Sequence, residues 1–269
     1  MKTYFGIIKD HFRCRTLIFK LAKSDLVKTY SGAALGWAWA IVKPTISILV
    51  FWFAFSMGLR LGGDKGEFPF ILWLVAGYIP WQYMSDMLTS GANSIRKYSF
   101  LVTKIKYPIS TVPTFVAVSN LFVHFLLMVI VVLLFTLMGF PPDIYLLQLP
   151  IYILLMFLFF ISWGLFSAML SAVSKDFQNL VKALTTAIFW MSGIMWDIND
   201  MFDYPWLQTI MLFNPVTFLV TGYRNVFIYK DWIWEHPDQL LYYGIVLVVM
   251  TIAATWSYKK LYKEIPDVL

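Results

Sequence analysis

Charge is what this sequence has least of. Only 13% of its 269 residues are Asp, Glu, Lys or Arg. Two long segments carry none: Tyr107 to Pro142 and Ile144 to Ser174, with Asp143 alone between them. A water-soluble chain scatters charge to keep its surface wet, so these segments are not built to face water. A helix rises about 1.5 Å per residue and a bilayer core is about 30 Å thick, so each can cross a membrane. Cysteine is nearly missing: Cys14 is alone, which excludes an intrachain disulfide. His11, His124 and His236 lie on separate segments, and no His/Cys group has metal-ligand spacing. No Gly-x-x-x-x-Gly-Lys-Ser/Thr loop occurs, which excludes ATP binding by that route. Ser, His and Asp form no recognisable nucleophile arrangement. Apolar/polar alternation is missing too. Phe125 to Leu134 is one continuous apolar run, and a membrane barrel strand would alternate, so helices remain.

What is present agrees. Hydrophobic residues make up 60% of the chain, and the mean hydropathy is +0.71. The fold class expected is all-α, a polytopic membrane protein with helices near 35–59, 68–91, 109–138, 146–172, 178–196 and 240–258. The first is interrupted by Lys43-Pro44, and the fifth is the shortest. Short cytoplasmic segments collect Lys and Arg. Lys2, Lys9, Arg13, Arg15, Lys20, Lys23 and Lys28 precede the first span, and Arg96, Lys97, Lys104 and Lys106 follow the second. Lys175 and Lys182 follow the fourth, and Lys259, Lys260 and Lys263 end the chain. Six spans with both termini cytoplasmic put these on one side. No cleaved signal peptide is expected, because no apolar core precedes a small-residue cleavage site.

Two segments depart from simple spans. Residues 1–34 hold Phe5, Ile8 and Phe12, then Leu17, Ile18 and Leu21, at helical spacing between cations. This reads as a helix lying in the cytoplasmic interface. Residues 197–239 contain Asn214-Pro215, Gly222 and Arg224 within apolar sequence. The charge rule disfavours a seventh span there. Two short re-entrant helices broken at Asn214-Pro215, or an amphipathic hairpin on the outer surface, remain. No repeat or linker divides the chain, so one membrane domain over 1–269 is expected.

Few residues carry candidate chemistry. Lys43 is a cation inside a span, which costs roughly 2.5–3.5 kcal/mol on insertion scales. It either lines a path for an anionic substrate or snorkels to the headgroups. Trp37, Trp39 and Trp52 on the same helix are aromatic surfaces for sugar C–H faces, or interface anchors. Asp197, Asp200 and Asp203 are spaced by three. They read as a cation site, a glycosyltransferase carboxylate set, or acids left in a loop that lacks Lys and Arg.

The segment Asp25-Leu26, Tyr30-Ser31, Leu35-Gly36-Trp37 and Lys43-Pro44 resembles the start of the membrane (permease) subunits of ABC-2 type polysaccharide exporters. The resemblance continues at Leu74-Val75-Ala76-Gly77-Tyr78-Ile79-Pro80-Trp81 and at Phe100 to Pro108. It runs on through Lys175-Asp176-Phe177, Asn214-Pro215 and Gly222-Tyr223-Arg224. Lys175, where the family usually has arginine, and Lys43, where a cation is not usual, depart from the pattern. The resemblance implies six membrane helices, an N-terminal interfacial helix and re-entrant helices before the sixth. It also implies a homodimer with two copies of a separate ABC ATPase, ATP and Mg bound on that partner, and no cofactor on this chain. The substrate implied is a lipid-linked glycopolymer leaving a bacterial cell. The nearest look is to wall teichoic acid exporters, with O-antigen and capsular polysaccharide exporters close by.

On this reading Lys20, Lys23, Lys28, Trp37, Trp39, Lys43 and Trp52 are substrate-pathway candidates. The resemblance makes 94–106, with Phe100, Leu101 and Lys104, the ATPase contact. Lys175, Asp176 and Phe177 are a second contact. The alternative for 94–106 is a basic loop held by anionic headgroups. Nothing points to nucleic acid. A membrane-embedded glycosyl- or phosphotransferase using Asp197, Asp200 and Asp203 is the competing enzyme class, and a channel or scaffold without an energy source is the third.

Overall fold

The computed structural model describes residues 2–60, 62–105, 107–198 and 205–265. Lys106, Asp200 and Asp203 lie outside the described residues. Among those described, the chain is all-helical, and its single β-type pairing is the isolated bridge between Lys65 and Phe68.

Two helices open the chain, α1 (Lys2–Arg13) and α2 (Arg15–Tyr30), broken at Cys14. They are docked on protein as well as facing outward. His11 shares a 2.7 Å hydrogen bond with Thr114 Oγ1, and Ile18, Ala22, Asp25 and Leu26 of α2 are buried. A short 3-10 turn at Gly36–Ala38 leads into α3 (Trp39–Phe53), which ends in a π-turn at Ala54–Gly58. Pro44 sits inside α3 and has no N–H for the helical ladder.

Helix α4 (Phe70–Asp86) passes through a π-turn at Met87–Gly91 into α5 (Ala92–Lys97), and α6 (Ser99–Thr103) follows. Every residue from Leu72 to Trp81 is buried. A helix apolar on all sides belongs in the middle of a bundle, and α4 packs against its neighbours α3, α7 and α11. The long helices α7 (Val112–Leu137) and α8 (Leu149–Val173) flank it, and α9 (Lys175–Met191) turns back from α8. Then come α10 (Pro205–Leu212), α11 (Pro215–Arg224) with a π-turn at Asn225–Tyr229, and α12 (Pro237–Leu261) against α8.

Among the described residues, four helical stretches are long and apolar enough to cross a membrane: Gly36–Gly58, Ile109–Leu137, Ile144–Val173 and Pro237–Leu261. Two of the six expected spans, α4 and α9, are not among them. The reasons differ. Helix α4 is solvated by protein and carries Gln82 and Asp86 on one face, so it does not need the hydropathy of a lipid-facing span. Helix α9 occupies 175–191 rather than 178–196. Ser174 caps its start by accepting from the Phe177 N–H at 3.4 Å, and Gly193 adopts a left-handed φ of +61° just beyond its end. Its 17 residues reach only about 25 Å.

Asn214 sets the break between α10 and α11. Its side-chain oxygen accepts from the Val216 N–H at 2.9 Å, while its amide donates to Ser192 Oγ at 2.9 Å. Pro215 then takes the first helical position, where a missing N–H costs nothing.

Candidate functional site

A polar cavity of about 400 Å³ opens between α2, α3, α4 and α7. Its lining reaches the basic end of the bundle at Lys97, the last residue of α5. Asp25, Tyr30 and Lys97 line it there; Trp39, Lys43, Gln82, Asp86, Ser90 and Asn120 line the rest. Asp25 is only 4% exposed and is held by the Lys97 ammonium at 2.8 Å and by the Tyr98 hydroxyl. Burial, and then the bond to Asp25, push the Tyr98 pKa well above the usual phenol value. Tyr98 therefore keeps its proton and stays a donor. Deeper in, Gln82 donates to Asp86 Oδ2 at 2.9 Å and Asn120 donates to Ser90 Oγ at 3.2 Å. Lys43, itself exposed, lines the same space, and its charge acts on the Asp86 carboxyl.

The opposite end of the bundle is closed by a connected network. Arg224 is 3% exposed. It donates to the carbonyls of Gly193 and Ile194 at 2.7 Å each and lies 3.3 Å over the Trp73 ring. The Trp73 indole N–H donates to the Tyr229 hydroxyl at 2.8 Å, and Tyr229 donates to Asp197 Oδ2 at 2.9 Å. Lys65 pairs with Asp197 at 3.1 Å. One residue earlier, the Tyr223 hydroxyl shares a 2.8 Å hydrogen bond with buried His124.

Two glycines make this possible. A Cβ on Gly77 would come within 2.5 Å of the Arg224 guanidinium, and one on Gly222 within 2.1 Å of the Tyr152 ring. Segments 74–81 and 222–224, far apart in sequence, are two halves of one contact.

At the basic end the two expected ATPase-contact segments are brought together. Arg96 donates to the carbonyls of Ser171 and, at 2.8 Å, of Ala172, the last turn of α8. That ties α5 to the turn before α9. Phe100 is 43% exposed, and Lys104, Lys175 and Asp176 are exposed with it. Phe177 is half-buried with its ring edge toward Phe166. Leu101 is different: it is 5% exposed and part of the core. Phe100 faces outward while Leu101 packs inward, so Leu101 is not exposed for a contact.

Of the pathway candidates, the cavity gathers Trp39 and Lys43. Trp37 stacks on Tyr30 at 5.4 Å, outside the lining, and Trp52 packs half-buried against the core. Lys20 and Lys23 border a separate surface groove with Arg15 and Phe19, and Lys28 is simply exposed. The cause is helical phase: Ile18, Ala22 and Asp25 form the docked face of α2, and the three lysines fall off it. Asp197 belongs to the closed network, and no metal-holding group of His, Cys, Asp and Glu occurs among the described residues.

Sequence reasoning missed Asp25, Gln82, Asp86, Lys97 and Asn120 as cavity residues. Asp86 had a signal. It is a lone carboxyl in the apolar stretch 68–95, and ionisable residues inside membrane segments usually face interiors. Gln82 and Asn120 had none, since neutral amides are common throughout membrane bundles.

The chain is similar to the O-antigen export system permease protein RfbA of Myxococcus xanthus. The two are 25% identical over 265 residues, covering 97% of this chain and 98% of that protein. It is also similar to RfbA proteins of Klebsiella pneumoniae, one of them 23% identical over 274 residues with 98% of each chain covered. The model of the ABC-2 type transporter family matches residues 16–228. That span takes in the cavity helices, both basic-end turns and Arg224 itself, and this chain belongs to the ABC-2 type transporter family.

Proposed function

We propose that this chain is the membrane subunit of an ATP-driven exporter that moves a lipid-linked cell-surface polysaccharide out of a bacterial cell. It works as a homodimer with two copies of a separate ABC ATPase, which binds ATP and Mg. The six helices 36–58, 70–91, 109–137, 144–173, 175–191 and 237–261 cross the membrane, and 205–229 re-enters it. The basic end, with both termini, faces the cytoplasm. The observation that carries the reading is the polar cavity at that end of an otherwise apolar bundle. An anionic lipid headgroup could leave the inner leaflet there without shedding all its partners, and an isolated charge in hydrocarbon is strongly disfavoured.

The relatives named above are O-antigen permeases, so an O-antigen-type polysaccharide is the polymer we propose. Those names lend nothing to wall teichoic acid, the polymer that overall sequence likeness favoured. Phe100, Lys104, Lys175, Asp176 and Phe177 form the surface proposed to seat the ATPase.

Depletion in the native bacterium, with analysis of polymers retained on intracellular lipid, tests the proposal. A phosphate-poor lipid-linked polysaccharide should accumulate. Accumulation of a polyol-phosphate polymer would return the assignment to teichoic acid. No retained polymer at all would overturn the export reading.

A further inference from the structure

We infer that the α4–α7 wall of the cavity is a sugar-binding site, one that takes the hydroxyl groups of the first residue of the lipid-linked glycan. This rests on the proposed export function and extends it from the charge of the substrate to its carbohydrate. Gln82, Asp86 and Ser90 recur every four residues along α4 and its π-turn at Met87–Gly91, which puts them on one face. Local π-turns inside helices are frequent at functional sites. Asn120 joins them from α7.

The hydrogen bonds within this group leave capacity over. Asp86 Oδ2 is taken by Gln82, but no described bond occupies Asp86 Oδ1, the Gln82 carbonyl or the Asn120 carbonyl. The Gln82 amide also keeps a second N–H, whereas that of Asn120 is engaged by Met87 Sδ at 3.4 Å and Ser90 Oγ at 3.2 Å. A wall so rich in acceptors matches a ligand rich in O–H donors. Groups like these left unpaired at membrane depth cost free energy, so the cavity is best satisfied when filled.

The opposite side supplies the complementary chemistry. The Lys43 ammonium suits a phosphate oxygen. Trp39, 42% exposed and part of the lining, offers a ring face to sugar C–H groups. At about 400 Å³ the cavity falls within the roughly 300–1,000 Å³ typical of ligand sites. One sugar and its adjoining phosphate are thus recognised together, hydroxyls by α4 and α7 and charge by α3.

The test uses the exporter with its ATPase in lipid nanodiscs and two probes, a polyprenyl diphosphate bearing one hexose and the bare polyprenyl diphosphate. The wild-type complex should bind the hexosyl lipid about tenfold tighter or better, because sites built to bond hydroxyls reject analogues lacking them. Asn120→Leu should erase that advantage without weakening the bare diphosphate, and Asp86→Leu should erase it while the bare diphosphate binds at least as tightly, because a like charge leaves the cavity. Lys43→Met should weaken both lipids alike. Equal wild-type affinity for the two probes would overturn the sugar site while leaving the export reading intact, and this needs no variant to fold. Leu variants that weaken both lipids equally would do the same. Failure to bind either probe would overturn the export reading and the sugar site with it.

Discussion

The two ends of this bundle treat buried polarity in opposite ways. At one end Arg224, Trp73, Tyr229, Asp197 and Lys65 satisfy one another in a continuous chain. At the other, Lys43, Asp86, Gln82 and Asn120 surround open space with bonding capacity unused. Both sets lie in a molecule whose surroundings offer few hydrogen bonds. A closed network of that kind rigidifies, whereas an incomplete one around a cavity leaves bonding capacity unused. Two cations therefore have different settings here: Arg224 is tied into a closed network, and Lys43 borders open space. The difference lies in what surrounds each, and it makes opposite predictions for stability.

The sharpest test is at Arg224. Arg224→Met orphans the Gly193 and Ile194 carbonyls, at about 1–3 kcal/mol for each buried acceptor. We expect a large loss of folded protein, read as monodisperse yield and melting temperature after solubilisation. Arg224→Lys should rescue little, because one ammonium cannot reproduce the planar fork. Wild-type melting of Arg224→Met would remove the contrast between the ends.

Gly222→Ala comes next. Its Cβ would meet the Tyr152 ring at 2.1 Å, and overpacking of this kind costs about 1–3 kcal/mol. A shift in melting that Tyr152→Leu partly reverses is the expected signature.

Adjacent residues of α6 should separate stability from coupling. Leu101→Asp buries a carboxylate in the core and should lower folded yield. Phe100→Asp should leave melting unchanged and release the ATPase in a pull-down. Equal destabilisation by both would show that α6 is not divided into an inward anchor and an outward contact.

Lys43→Met asks whether the open end is a site. Removing a cation from a span favours insertion, so expression should hold or rise. Export should fall by about tenfold or more, the factor that 1.4 kcal/mol of lost interaction gives. Normal export would make Lys43 a snorkelling residue. The smallest effect is expected for Lys20→Gln with Lys23→Gln. These lysines lie outside the cavity, and each contributes only about 1 kcal/mol of attraction to anionic lipid. Export within about twofold of wild type is expected; a loss like that of Lys43→Met would restore them to the pathway.

Much of the helical plan was legible in the residues. The long apolar runs placed α7, α8 and α12 because lipid-facing helices advertise themselves by composition. Asn214-Pro215 placed the break between α10 and α11 because capping chemistry is local. The end of α9 was misplaced by about five residues, since apolar sequence continues past Met191 and only the turn at Gly193 stops the helix. Leu101 and Phe100 are both apolar and adjacent, and no sequence pattern says which faces in.

The sequence by itself determined the solvent and much of the helical plan. Each follows from local composition acting against a bilayer of known thickness. Tertiary structure alone decided which polar residues meet. Asp25 with Lys97, Gly77 with Arg224, Tyr223 with His124 and Lys43 with the Asp86 wall are all long-range pairings. Helical phase and interhelical packing set them, and neither is written in any single segment of the chain.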